Sequence, residues 1–190
     1  GQTPIENIAK VWRNPLSISR LRLTSRRASL TIPCGFFWSQ VELKGLRGSA
    51  AARIDDKGRL KVPTIFRTVI QDQQGPDVFV TSLTGECVRI YPMPLWLEIE
   101  QKLSKIPDNH PARLKFLDRV NYFGQTIELD GQGRVVIPSH LRDSASIVGE
   151  VRVFGRIQYL EVWNEERFVQ KLQREPWTDV DGLSLSEHGI

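Results

Sequence analysis

One phrase is written twice in this chain, and the repetition limits the folds open to it. Ile54-Asp55-Asp56-Lys57-Gly58-Arg59-Leu60-Lys61-Val62-Pro63 returns 75 residues later as Leu129-Asp130-Gly131-Gln132-Gly133-Arg134-Val135-Val136-Ile137-Pro138. At the same offset Thr64-Ile65-Phe66-Arg67 matches Ser139-His140-Leu141-Arg142. Asp, Gly, Arg, Pro and a second Arg keep their register inside a shared apolar pattern, which implies two equivalent structural units.

The first unit reads as a strand ending at Ile54, a tight turn over residues 55–58 and a strand over 59–62. Gly58 supplies the positive φ that such a turn commonly needs. Pro63 then opens a short helix with Phe66, Val69 and Ile70 inward, followed by strands over 78–81 and 88–91 joined around Thr84-Gly85. The second unit closes the same way, with strands over 151–154 and 159–163 about a turn near Gly155-Arg156. Each unit is thus a small β-α-β-β element.

Each unit also runs into a helix. After Pro94, Trp96, Ile99 and Leu103 share one face; after Trp163, Asn164 is the N-cap, Glu165 and Glu166 fill the first turn, and Phe168 and Leu172 turn inward. Trp96 and Phe168 occupy equivalent places. A further helix begins near residues 108–111 and runs through Leu114, Leu117 and Val120 to a strand over 126–129, and residues 174–190 read as a loose tail. The expected fold is α+β, mainly β, with two units related by a pseudo-two-fold. Its divisions are an extension at 1–45, a first domain at 46–94, linking helices at 95–124, a second domain at 125–168, and a helix end and tail at 169–190.

Charge is unevenly placed. The sequence pI of 9.3 suggests a polyanionic partner. Yet residues 1–47 hold 8 Lys/Arg against 2 Asp/Glu, while the remainder holds 18 against 20. A DNA-binding surface therefore has to come from local clustering. Residues 47–67 provide it, with Arg47, Arg53, Lys57, Arg59, Lys61 and Arg67 against Asp55 and Asp56; the equivalent window 122–142 is neutral.

The spacing of Asp55 to Arg59, repeated in Asp130 to Arg134, puts opposite charges across a glycine turn, where a charge-assisted hydrogen bond can close it. A guanidinium held at a hairpin tip can equally reach phosphates or the acceptor edge of guanine in a major groove. Both hold at once if Asp orients Arg. Lys57 and Lys61 flank Arg59 at i±2 and project from the same side, whereas Arg134 is flanked by Gln132 and Val136 and stands alone. The first unit is therefore expected to grip DNA through Arg59, Lys57 and Lys61, with Arg53 and Arg47 nearby, and the second mainly to pack or assemble.

The order Leu46-Arg47-Gly48, the Asp55 to Arg59 turn, Pro63 and Arg67, then Tyr91-Pro92 with Trp96 and Glu100-Gln101-Lys102-Leu103, then the Asp130 to Arg134 turn with Ile137-Pro138 and Arg142, resembles the MraZ family of bacterial transcriptional regulators. The resemblance spans about residues 46–173. It implies two AbrB-like swapped-hairpin β domains in one chain, assembly into a ring-shaped homo-oligomer, and binding to short direct repeats in front of the division and cell wall gene cluster. It also implies a cytoplasmic, nucleoid-associated protein that typically represses that cluster. By position the family's DNA-binding Arg falls on Arg59 with Asp55 as motif partner, and Asp130 and Arg134 form the second copy. Residues 1–45 have no counterpart in the pattern; the first residue is Gly and the one Met is Met93, so this stretch is expected to be disordered or to lie upstream of a true start at Val41 or Leu43.

The remaining candidates are plain. Cys34 and Cys87 have no metal-type spacing and fit a reducing compartment. Ser25-Arg26-Arg27-Ala28-Ser29-Leu30 superficially resembles a twin-arginine export signal, but Pro33 interrupts the apolar run and no small-x-small site follows. His110, His140 and His188 are scattered, and Gly131-Gln132-Gly133 joins two strands as a turn. Trp96, Trp163 and Phe168 are read as core. No nucleophile and base pair up, so no enzyme, cofactor or metal is expected, and no membrane segment either. The rival reading is an oligomerisation and protein-interaction module related to AbrB-type antitoxins.

Overall fold

The two glycine turns join strands that part company immediately. A computed structural model describes residues 45–190, the side chains at 72 and 73 left aside. What was expected of residues 1–44 lies outside the described residues. β1 (Ser49–Arg53) and β2 (Arg59–Lys61) flank the first turn, joined by a single bridge between Ile54 and Leu60. They are followed by α1 (Thr64–Gln74), β3 (Asp77–Thr81) and β4 (Val88–Pro92). α2 (Met93–Leu103) and α3 (Pro111–Phe123) lead to the second copy: β5 (Gln125–Glu128), β6 (Arg134–Val136), α4 (Ser139–Ala145), β7 (Glu150–Gly155) and β8 (Leu160–Trp163). Each repeat is therefore β-β-α-β-β: the strands either side of the turn, expected as one hairpin, count separately because they serve different sheets.

The strands interleave between repeats. The larger sheet runs β1-β7-β8-β4-β3-β5, antiparallel throughout, and β2 pairs β6 in a separate two-stranded ribbon. Exchanging each strand for its counterpart reverses this order and leaves it unchanged, so a pseudo-two-fold passes between β4 and β8. One apolar core draws on both copies, Ile54, Leu60, Val62, Phe66 and Ile70 meeting Leu129, Val135, Ile137, Leu141 and Ala145. The segments 46–94 and 125–168, separate in sequence, share this core and this sheet.

Helices cover the flanks in equivalent ways. Trp96 of α2 stacks on Phe79 of β3 with centroids 4.1 Å apart, and Phe168 of α5 (Glu165–Arg174) lies 4.1 Å from Phe154 of β7. Asn164 caps α5 by accepting from the Arg167 N–H at 3.1 Å. Trp96 and Trp163 are buried, while Leu172, expected inward, is exposed. The tail expected to be loose contains α6 (Asp179–Ser186): Thr178 and Asp181 form a capping box, which supplies acceptors to the orphan N–H groups that start a helix. Among the described residues no helix is long and apolar enough to cross a membrane.

Candidate nucleic-acid interface

The turn residues act first on their own backbone. Asp55 Oδ1 accepts from the N–H groups of Lys57 at 3.0 Å and Arg59 at 2.9 Å, and Oδ2 accepts from Arg59 Nε at 2.7 Å. Asp130 repeats this with Gln132, Arg134 and Arg134 Nε at 2.9, 2.9 and 2.7 Å. The Arg59 N–H, then its guanidinium, hold the Asp55 carboxyl below the usual carboxylate range, and Arg134 does the same for Asp130. Because Nε is committed to Asp, each guanidinium is aimed outward with its terminal nitrogens left for another partner. Structure and aim are thus one arrangement.

Each turn is braced by the other repeat. Gly58 and Gly133 sit at φ +76° and +72°. The Val62 N–H donates to the Gly133 carbonyl at 3.0 Å, and the Ile137 N–H to the Gly58 carbonyl at 2.8 Å. Arg67 packs over Gly133 and donates to the Gln132 carbonyl at 3.1 Å; Arg142 packs over Gly58 and donates to the Ile137 carbonyl at 3.0 Å. Arg67 and Arg142 were legible as recurring anchors, but their task of clamping the opposite repeat's turn was not.

The ribbon decides which cations meet. In register Arg59 faces Val136, Leu60 faces Val135 and Lys61 faces Arg134. Leu60 and Val135 are fully buried, so Arg59, Lys61, Arg134 and Val136 share the opposite, outer face. Arg134, expected to stand alone, has Lys61 directly across from it. Lys57 is exposed in the first turn. Arg53 ends β1 beside that turn, exposed but opposite Glu150 on β7. Arg47 lies at the other end of β1, next to Leu46, which bridges Ile157 beyond the β7 strand. β1 alone puts about 13 Å between Arg47 and the turn, so Arg47 does not join the cluster.

Among the described residues no group of three or more His, Cys, Asp or Glu is placed to hold a metal. The surface available is a basic, two-stranded ribbon with oriented guanidinium groups, of the size a B-DNA major groove admits.

Residues 46–119 and 124–181 each match the family model of the MraZ protein, whose description adds "antitoxin-like". The chain is 49% identical over 144 residues to the "Transcriptional regulator MraZ" of Acidobacterium capsulatum, covering 76% of this chain and 99% of that protein. It is 48% identical over 145 residues to the protein of that name from Koribacter versatilis, with the same coverage. To that of Yersinia pestis it is 33% identical over 150 residues, covering 73% of this chain and 99% of that protein.

Proposed function

The chain belongs to the MraZ family, and on that premise we propose that it is a transcriptional regulator that binds double-stranded DNA through the β2·β6 ribbon. The observation that carries this reading is the outer face of the ribbon, where Arg59, Lys61 and Arg134 converge from both repeats with each Arg oriented by its Asp. Arg59 and Arg134 read guanine edges or clasp phosphates, and Lys57, Lys61 and Arg53 add phosphate contacts. In this reading the interleaved units are AbrB-like swapped hairpins. The protein works on the nucleoid in the cytoplasm and represses the division and cell wall gene cluster from direct repeats in its promoter.

A single ribbon with so few cations binds near the non-specific level. A ring-like homo-oligomer contacting several phased repeats raises avidity by orders of magnitude through effective concentration. Light scattering on the full chain is expected to report an oligomer, and a stable monomer would remove that part of the reading. The test of binding is fluorescence anisotropy of the full chain with labelled duplex from upstream of its own gene against scrambled duplex, across a salt series. Tight binding to the upstream duplex alone, abolished by Arg59→Ala, is the expected result. Equal, salt-fragile binding to both would favour the antitoxin-like interaction module, a reading that the exposed Leu172, Val180 and Leu183 of the C-terminal helices and Trp177 between them keep in play.

A further inference from the structure

The ribbon is nearly symmetric, and the place where symmetry fails is on its outer face. The pseudo-two-fold exchanges Arg59 with Arg134 and Lys61 with Val136, with Leu60 opposite Val135 at the centre. Two unlike corners result. At one, Lys61 directly faces Arg134; like charges opposed across two strands repel, and a bound anion relieves the repulsion. At the other, Arg59 faces Val136, a β-branched residue left 48% exposed in the middle of a basic face. Counting each turn with the arginine clamped over it, the first corner carries Lys61, Arg134 and Arg67 against Asp130, a net of two positive charges, whereas the second carries Lys57, Arg59 and Arg142 against Asp55 and Asp56, a net of one.

Building on the DNA-binding reading above, we infer that the Lys61/Val136 difference gives the ribbon a direction on the duplex: the Lys61–Arg134 corner takes phosphate, and the Arg59–Val136 corner reads base edges, with Val136 against the 5-methyl group of a thymine. The chemistry is complementary. The major groove offers guanine N7 and O6 to a guanidinium and, at thymine, an apolar methyl that no other base presents. A cation at position 136, matching Lys61, would make both corners alike and erase the distinction between one orientation and its reverse. A directional ribbon selects an asymmetric element, and successive copies of the protein then read successive elements in one sense.

The test replaces each thymine of the labelled upstream duplex in turn by deoxyuridine, which removes only the methyl group, and measures anisotropy with the full chain, Val136→Ala and Val136→Lys. The expected result is one or two thymines whose replacement weakens binding by the native chain about fourfold, the value of one buried methyl, with no such loss in either variant. Val136→Lys should also steepen the salt dependence by about one released counterion. Uracil-insensitive yet specific binding by the native chain overturns the inference while leaving the DNA-binding reading intact, as does a uracil effect that survives Val136→Ala. Failure to distinguish upstream from scrambled duplex overturns both. Val136 is on the surface, so neither variant threatens folding.

Discussion

At the residue scale the most consequential side chain away from the ribbon is Glu161, 4% exposed on β8. Its Oε1 lies 3.1 Å from Arg89 Nε as an ion pair without hydrogen-bond alignment, and its Oε2 accepts from Arg156 Nε at 2.9 Å and Trp163 Nε1 at 3.2 Å. Arg89 and Glu161 hold equivalent places in the two repeats and face each other across the β4·β8 seam. Pairing a repeat with its own kind would set two arginines or two glutamates there, so the seam favours the unlike pairing. Glu161→Ala leaves Arg89 without its partner and is expected to cost about 3–5 kcal/mol, measured by denaturant unfolding. Asp55 offers a test in which two arguments differ in sign. Removing an anion beside DNA should tighten binding by charge alone, whereas losing the group that aims Arg59 should weaken recognition. Asp55→Ala is expected to bind scrambled duplex more tightly and upstream duplex more weakly, as read by anisotropy. Because the Asp55 and Asp130 carboxyls are held below their ordinary value of 3.8, the stability they lend is fully present above that pH and is lost as pH falls through the depressed values. The turns should therefore be indifferent to pH across the neutral range. Cys87, pushed up to about 12 by burial, should stay unreactive to alkylation until the chain unfolds.

At the element scale the two turns are parts of one device. Each has its own Asp to fix the backbone, its own Gly to take the positive φ, and an Arg from the other repeat laid across it. A Cβ on Gly133 would fall 2.0 Å from Arg67 Cδ, and one on Gly58 2.7 Å from Arg142 Cζ. An alanine at either place displaces the clamping arginine and strains the left-handed backbone, by about 1–3 kcal/mol. The reciprocal arrangement makes a prediction that local reasoning would not. Arg67→Ala should shift the backbone amide resonances of residues 130–133 more than those of its own turn at 55–58. The reverse pattern would mean that the clamp carries nothing. Helix α6 stands apart from this arrangement: its capping box fixes its start, yet none of its residues is buried, so its order rests on local bonds and it should exchange amide hydrogens fastest of the six helices among the described residues.

At the scale of the whole molecule the repeats complete one another. Strands from both copies alternate in the larger sheet, the ribbon takes one strand from each, and the core runs through both. Residues 45–190 are accordingly expected to unfold in one cooperative step, with tryptophan fluorescence and far-UV circular dichroism coinciding along the urea curve; two separated transitions would mean that the repeats hold together independently.

The sequence by itself determined whatever depends on near neighbours. The Asp-to-Arg turns, the positive-φ glycines, the Asn164 cap and the helix after Pro63 were all readable because their bonds span a few residues and their chemistry is local. The matched spacing also announced two equivalent units. Where the strands go was decided only by the tertiary structure, since burying Leu60 and Val135 against one core requires β2 to meet a strand some 75 residues distant. That long-range pairing set Lys61 opposite Arg134 and sent Arg67 to the far turn. No window of the sequence contains those relations, because they follow from the joint burial of both repeats rather than from either one.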